Sequence, residues 1–126
     1  MGISRLNLFG VIGCEAAYKY GEEWLEQLLA YIEENKEFTK NYINEKIPKL
    51  KVAEPEGTYL LWIDCRKLGM NAEELKKFMM TKARVAFNEG FIFGEGGEGF
   101  ERMNIACPRS ILKEALKRIE EAVNSI

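Results

Sequence analysis

The chain has 126 residues, 47% of them hydrophobic and 30% charged, with a net charge of −2, so it reads as one soluble globular domain. The charge gives no reason to expect nucleic acid or an anionic membrane as a partner, and no apolar run is long enough to span a bilayer. Histidine is absent, which removes the commonest zinc ligand and the usual general base of hydrolases.

The three cysteines, Cys14, Cys65 and Cys107, are odd in number and lack C-x-x-C spacing. They read as buried thiols of a cytoplasmic protein, outside any disulfide framework or metal site. No basic region precedes the short apolar run from Leu6 to Cys14, so no signal peptide is expected.

The opening segment supports a short helix from about Asn7 to Tyr20, ended by Gly21. Glu22 to Lys46 reads as one long helix. Trp24, Leu25, Leu28, Leu29, Ile32, Thr39, Tyr42 and Ile43 recur at helical spacing, acids stand in the first turn and Pro48 stops it. At 1.5 Å per residue it would be roughly 38 Å long, the length of an element that links two structural units.

Lys51 to Ala53 is a short edge-like segment. Thr58 to Cys65 reads as a strand, with Tyr59, Leu61 and Ile63 on one face and Leu60 and Trp62 on the other. A strand that is apolar on both faces wants cover on both sides. Asn71 and Glu74 form a capping-box pattern before a helix that runs to about Ala83. Val85 to Phe87 is expected as a further strand and Phe100 to Cys107 as another. Ser110 is expected to cap the last helix, whose apolar stripe is Leu112, Ala115, Leu116, Ile119 and Val123. Helices thus alternate with clustered strands. The fold class is α+β: a two-layer sandwich in which a small antiparallel or mixed sheet carries helices on one face, preceded by a long linking helix.

The loop from Gly94 to Gly99 matches G-x-G-x-x-G literally. A phosphate loop needs a strand before it and a helix N-terminus after it, whereas here a strand follows and Glu95 and Glu98 would repel an anion. Two acids in a loop are also weak grounds for a metal. Arg109 reads as structural, and Tyr59 and Trp62 as packing residues.

Arg102 is more informative. Alternation puts Met103, Ile105 and Cys107 on the face that suits a helix-covered core, and Phe100, Arg102, Asn104 and Ala106 on the other. A guanidinium there is shaped for bidentate binding of a carboxylate. Pattern alone still favours a solvated or salt-bridged arginine.

A family resemblance changes that balance. The segments from Asn7 to Tyr18 (NLFGVIGCEAAY) and from Gly21 to Leu25 (GEEWL) resemble the region after the cofactor lysine in cystathionine β-lyase-type enzymes. These are fold-type I, pyridoxal-phosphate (PLP)-dependent proteins of aminotransferase class I/II. Pro55 to Trp62 (PEGTYLLW) resembles a strand of their small domain. Gly94 to Phe100 (GEGGEGF) and Arg102 to Arg109 (RMNIACPR) resemble their C-terminal substrate segment. The resemblance covers nearly the whole chain.

It implies that residues 1–20 are a remnant of a large PLP-binding domain and that 21–126 are the C-terminal small domain. It implies that Arg102 binds the α-carboxylate of an amino-acid substrate, with Asn104 beside it. In the full-length enzyme the cofactor would be pyridoxal 5′-phosphate, with aminotransferase or C–S β-lyase chemistry on cystathionine- or cysteine-type amino acids. The Schiff-base lysine, the pyridine partner and most phosphate ligands of that family precede the point where this chain begins. The chain is therefore expected to be a fragment that lacks catalytic residues, binds no cofactor alone and lacks its large domain. Homodimerisation or self-association through uncovered apolar surface is expected. The alternative is a stand-alone binding or regulatory module that retained the small-domain fold.

Overall fold

The structure, a computed structural model, describes residues 7–126. Met1, Gly2 and Leu6, used in reading the opening segment, lie outside them. Contacts divide the chain into two compact units between Glu33 and Glu34.

The first unit holds α1 (Leu8–Tyr20) and the opening turns of α2 (Glu22–Lys46). Asn7 caps α1, its side chain accepting from the Gly10 N–H at 2.7 Å. Gly21 closes it by donating to Ala17 O at 2.8 Å. No residue of α1 is buried; Phe9 is 85% and Tyr18 89% exposed. Cys14 on this helix is exposed, which corrects the expectation of three buried thiols; Cys65 is buried and Cys107 partly so. The glycines at 10 and 13 leave α1 no continuous apolar stripe to bury.

The second unit is a two-layer α+β sandwich. Its sheet combines β1 (Lys51–Val52), β2 (Leu60–Asp64), β3 (Asn88–Glu89) and β4 (Phe100–Asn104). The strand order is β1-β2-β4-β3 and every pairing is antiparallel. The helical layer consists of the later part of α2, α3 (Ala72–Phe78) and α4 (Arg109–Val123). The capping box at Asn71 and Glu74 forms, with both hydrogen bonds at 3.0 Å. Beyond Phe78 the helix widens into a π-helical turn, Met79–Ala83, that carries it to the expected end.

The core follows the sequence periodicities. Leu61 and Ile63 of β2 and Met103 of β4 are buried on one face of the sheet, with Ile105 just beyond. Against them lie Ile43 of α2 and Ile47 just after it, Leu75 and Phe78 of α3, and Leu112, Leu116, Ile119 and Val123 of α4, all buried. Apolar area removed from water at roughly 25 cal/mol per Å2 is what holds the two layers together. Leu60 and Trp62 on the opposite face are half-buried, and Tyr59 is exposed.

Two expectations are corrected here. Val85 to Phe87 is not a strand; the pairing begins at Asn88 instead, opposite Arg102. Arg84 ends the π-turn in the left-handed region at φ 56°, and the chain needs the next residues to turn back toward the sheet edge. Ser110 does not cap α4: it lies inside the helix, Pro108 occupies the cap position, and no side chain caps there. Proline's fixed φ and missing N–H are tolerated at the start of a helix, where Pro108 stands.

Candidate functional site

The outward face of β2 and β4 carries an ordered row of cations and rings. Register sets it: Trp62 lies opposite Arg102, and Asp64 opposite Phe100. The Trp62 and Phe100 rings stack with centroids 5.6 Å apart and planes 16° apart, and Phe93 meets Trp62 edge-on at 5.6 Å. The Arg102 guanidinium sits 4.5 Å from the Phe93 ring centre, and Arg66 caps the far end 4.8 Å over Phe100. Each cation therefore faces the electron-rich face of a ring.

The two arginines differ in how their charge is met. Arg66 is clamped by Asp64 through two bonds of 2.9 and 2.7 Å, a bidentate pair. That guanidinium holds the Asp64 carboxyl below the usual carboxylate range, a backbone bond from Arg66 adding to the effect. Arg102 donates from Nη2 to the Asn88 side-chain oxygen at 3.1 Å, a neutral acceptor. Its Nε is buried and has no hydrogen-bond partner among the described residues. One donor of the fork is spent on positioning, and the guanidinium's charge has no carboxylate against it among the described residues. A guanidinium held by a neutral acceptor alone is the kind of group an anionic ligand neutralises.

The glycine loop shapes this face. It folds into two short 3-10 turns, Gly90–Phe93 and Glu95–Gly97, between β3 and β4. Gly90 and Gly97 cross so closely that a Cβ on Gly97 would lie 2.0 Å from the Gly90 carbonyl oxygen. That crossing lays Phe93 under Arg102. The loop thus supports the arginine, and a strand follows it where a phosphate cradle would need a helix N-terminus. No group of three or more metal-ligating side chains occurs among the described residues.

Asn104 ends β4, exposed, on the same face as Arg102 by alternation. Its Oδ1 accepts from the Ala106 N–H at 2.8 Å, so half of its side chain shapes the turn out of the sheet. Arg109, read as structural from the sequence, stands at the start of α4. It donates from Nε to the Asn35 side chain at 2.5 Å, and its guanidinium lies 5.0 Å over Phe38. Asn35 is fully buried and donates to Ile105 O at 2.8 Å and to Cys107 O at 3.1 Å. This node fixes the path of the chain just after Arg102.

Composition and periodicity do not single out Asn35, Asn88, Phe93 or Glu101. A signal for Asn35 existed: it stands on the apolar stripe of α2, four residues before Thr39, where a polar side chain needs a buried partner. Asn88 and Phe93 offered none, because only the β3–β4 register brings them to Arg102.

Comparison with known proteins agrees with the resemblance read from the sequence. The profile described as aminotransferase class I and II matches residues 13–119. Cystathionine beta-lyase PatB of Bacillus subtilis (strain 168) is 37% identical over 98% of this chain and 32% of the relative. A solved PLP-bound structure from Clostridium difficile 630 superposes with a TM-score of 0.93 at 53% identity, over 97% of this chain and 32% of that one. Cystalysin from Treponema denticola, whose structure contains pyridoxal 5′-phosphate, gives a TM-score of 0.92 at 39% identity, over 96% of this chain and 31% of that one. The chain spans about a third of the length of these relatives. It belongs to the aminotransferase class I and II family.

Proposed function

We propose that this chain is the small-domain part of a PLP-dependent aminotransferase or C–S β-lyase, and that Arg102 supplies the anchor for the α-carboxylate of its amino-acid substrate. Residues 1–20 would belong with the large domain, 21–126 would be the small domain, and α2 would link them. The observation that carries the reading is an arginine on the outer face whose guanidinium meets a neutral amide and, among the described residues, no carboxylate. Family membership and the PLP-containing relatives support it.

The residues present do not fit the cofactor itself. PLP joins an aldehyde, which needs an amine, to a phosphate, which needs its own anion site, and the outer face offers one guanidinium held by an amide and a ring. Among the lysines, Lys19, Lys40 and Lys76 are engaged by Glu15, Glu54 and Glu89. PLP would be held by residues outside these 126, where it supplies the electron sink for amino-acid chemistry. What this chain contributes is binding and orientation. The Asn88 bond and the Phe93 ring hold the guanidinium in one pose, so a carboxylate arriving there meets donors already aligned.

The test is a comparison of substrates in an enzyme carrying this segment complete with its large domain. Arg102→Ala should lower kcat/KM for an amino acid by roughly ten- to a hundredfold, the worth of a charge-assisted hydrogen bond. The decarboxylated amine of the same substrate should lose little, and the cofactor's absorbance should not change. Equal losses for acid and amine would overturn the assignment.

A further inference from the structure

A cavity of about 210 Å3 opens beside the π-helical turn, away from the outer face that carries Arg102. Met79, Met80 and Ala86 are among its apolar wall, and Lys76, Glu89 and Glu101 are its polar groups. Glu101 points from β4 to the core side of the sheet and is only 2% exposed. Its Oε2 is buried and has no hydrogen-bond partner among the described residues. Its cross-strand neighbour Glu89 is paired with Lys76 at 2.8 Å, so that lysine is already engaged. The cavity thus contains an acid oxygen that nothing in the described chain satisfies.

A buried carboxylate without a donor is costly, and the donor's chemistry can be narrowed. An anion is excluded, because Glu101 and Glu89 would repel it. A hard divalent cation wants six or more oxygens, whereas here Glu89 is already paired with Lys76, Glu101 alone is left, and thioethers and a methyl supply none. A group that donates to the carboxylate while its body covers methionine side chains is a cation with a short hydrocarbon tail. Methionine is well suited to such a wall, since its flexible thioether fits an irregular apolar guest. The π-turn that presents Met79 and Met80 is itself of a kind often found where a helix has been reshaped for a site.

We propose that this cavity is a binding site for a small primary alkylammonium, its ammonium donating to Glu101 and its hydrocarbon tail lying along Met79, Met80 and Ala86. The site does not depend on the assignment of Arg102. The groups facing Glu101 are Glu89 from β3, Lys76 from α3 and Cys65 at the end of β2. Lys76 and Glu89 hold each other charged, and burial keeps the Cys65 thiol neutral. Glu101 is therefore the member that changes charge near neutrality, and binding should strengthen as pH rises from about 5.5 to about 8.

The experiment titrates the 126-residue chain with n-butylammonium chloride at about pH 8 and follows the methionine methyl groups by NMR. Saturable shifts confined to Met79 and Met80 are expected. With n-butanol, and with the amine added to Glu101→Gln, affinity should fall roughly tenfold or more. Ala86→Trp, at an exposed position, should block the mouth with Glu101 intact and abolish the shifts. Shifts that do not saturate, equal binding of n-butanol, or insensitivity to both substitutions would overturn the proposal.

Discussion

Three polar side chains of the second unit are fully or almost fully buried: Asn35, Thr39 and Glu101. They behave differently because their partners differ. Thr39 donates to Asn35 O one turn back at 2.7 Å, a local solution. Asn35 serves two carbonyls and Arg109, so it ties α2 to the segment that follows β4. Asn35→Ala leaves both carbonyls and the guanidinium short of partners. It should destabilise the chain by about 2–4 kcal/mol, measured by urea denaturation. Glu101 has no such partner, and burial, then the Glu89 carboxylate, push its carboxyl up to about 7 from 4.5. A folded-state value above the unfolded one means that the native state binds the proton more tightly. Glu101 therefore costs no stability below about pH 4.5, and stability falls as pH rises from there to about 7. Glu101→Gln should flatten that decline, visible as urea midpoints that differ less between about pH 5 and pH 8 than those of the unsubstituted chain. A steeper decline in the variant would contradict the assignment. Glu101 shares the core face of β4 with Met103, a charged side chain that the sequence reading did not single out. That its oxygen would find no partner depends on Lys76 having been taken by Glu89, a contact between elements that no spacing rule reveals.

At the scale of elements, the loop between β3 and β4 shows how a local sequence is given its meaning by packing. A glycine-rich run next to a strand announces a turn, and the following strand argues against a phosphate cradle. The crossing of Gly90 and Gly97 is a separate requirement, set by backbone approach: the Cβ of either would meet the other's carbonyl oxygen at 2.2 or 2.0 Å. Gly97→Ala should destabilise the chain by about 1–3 kcal/mol as an overpacking change. It should also shift Phe93 from the edge of Trp62, altering the near-ultraviolet circular dichroism; an unchanged spectrum with unchanged stability would show that the loop tolerates the methyl. The helix bounds were legible, the Ser110 cap apart, since the Asn7 and Asn71 caps, the Gly21 stop and the 3.6-residue stripe are local signals. β3 was misplaced because Asn88 and Glu89 lack strand character, and their pairing is decided by β4 alone.

At the scale of the whole molecule, the two units have very different claims to stability. Residues 34–126 bury a contiguous apolar core between sheet and helices. The described part of the first unit leaves α1 without a buried side chain, and an isolated helix of its 13 residues is marginal in water. Trypsin should therefore cut at Lys19, whose side chain is 58% exposed, well before any site in 34–126. Mass spectrometry of the early fragments reads the order, and early cleavage within α4 would contradict it. Among the described residues no helix is long and apolar enough to cross a membrane, so the exposed side chains of Phe9, Tyr18 and Trp24 are not a span.

What the sequence by itself determined is what short-range physics encodes: helix boundaries, the inward and outward faces of β2 and β4, the α+β class and the family. Arg102 was placed on the correct face by a period of two. What only the tertiary structure decided is what that face is worth. The ring beneath Arg102 and the amide beside it come from 9 and 14 residues away, through a glycine crossing and an edge-strand register. The unmet Nε depends on which partners those contacts supply and which they leave out. Partnership among distant side chains is a property of closure in three dimensions, and the local pattern of a sequence does not carry it.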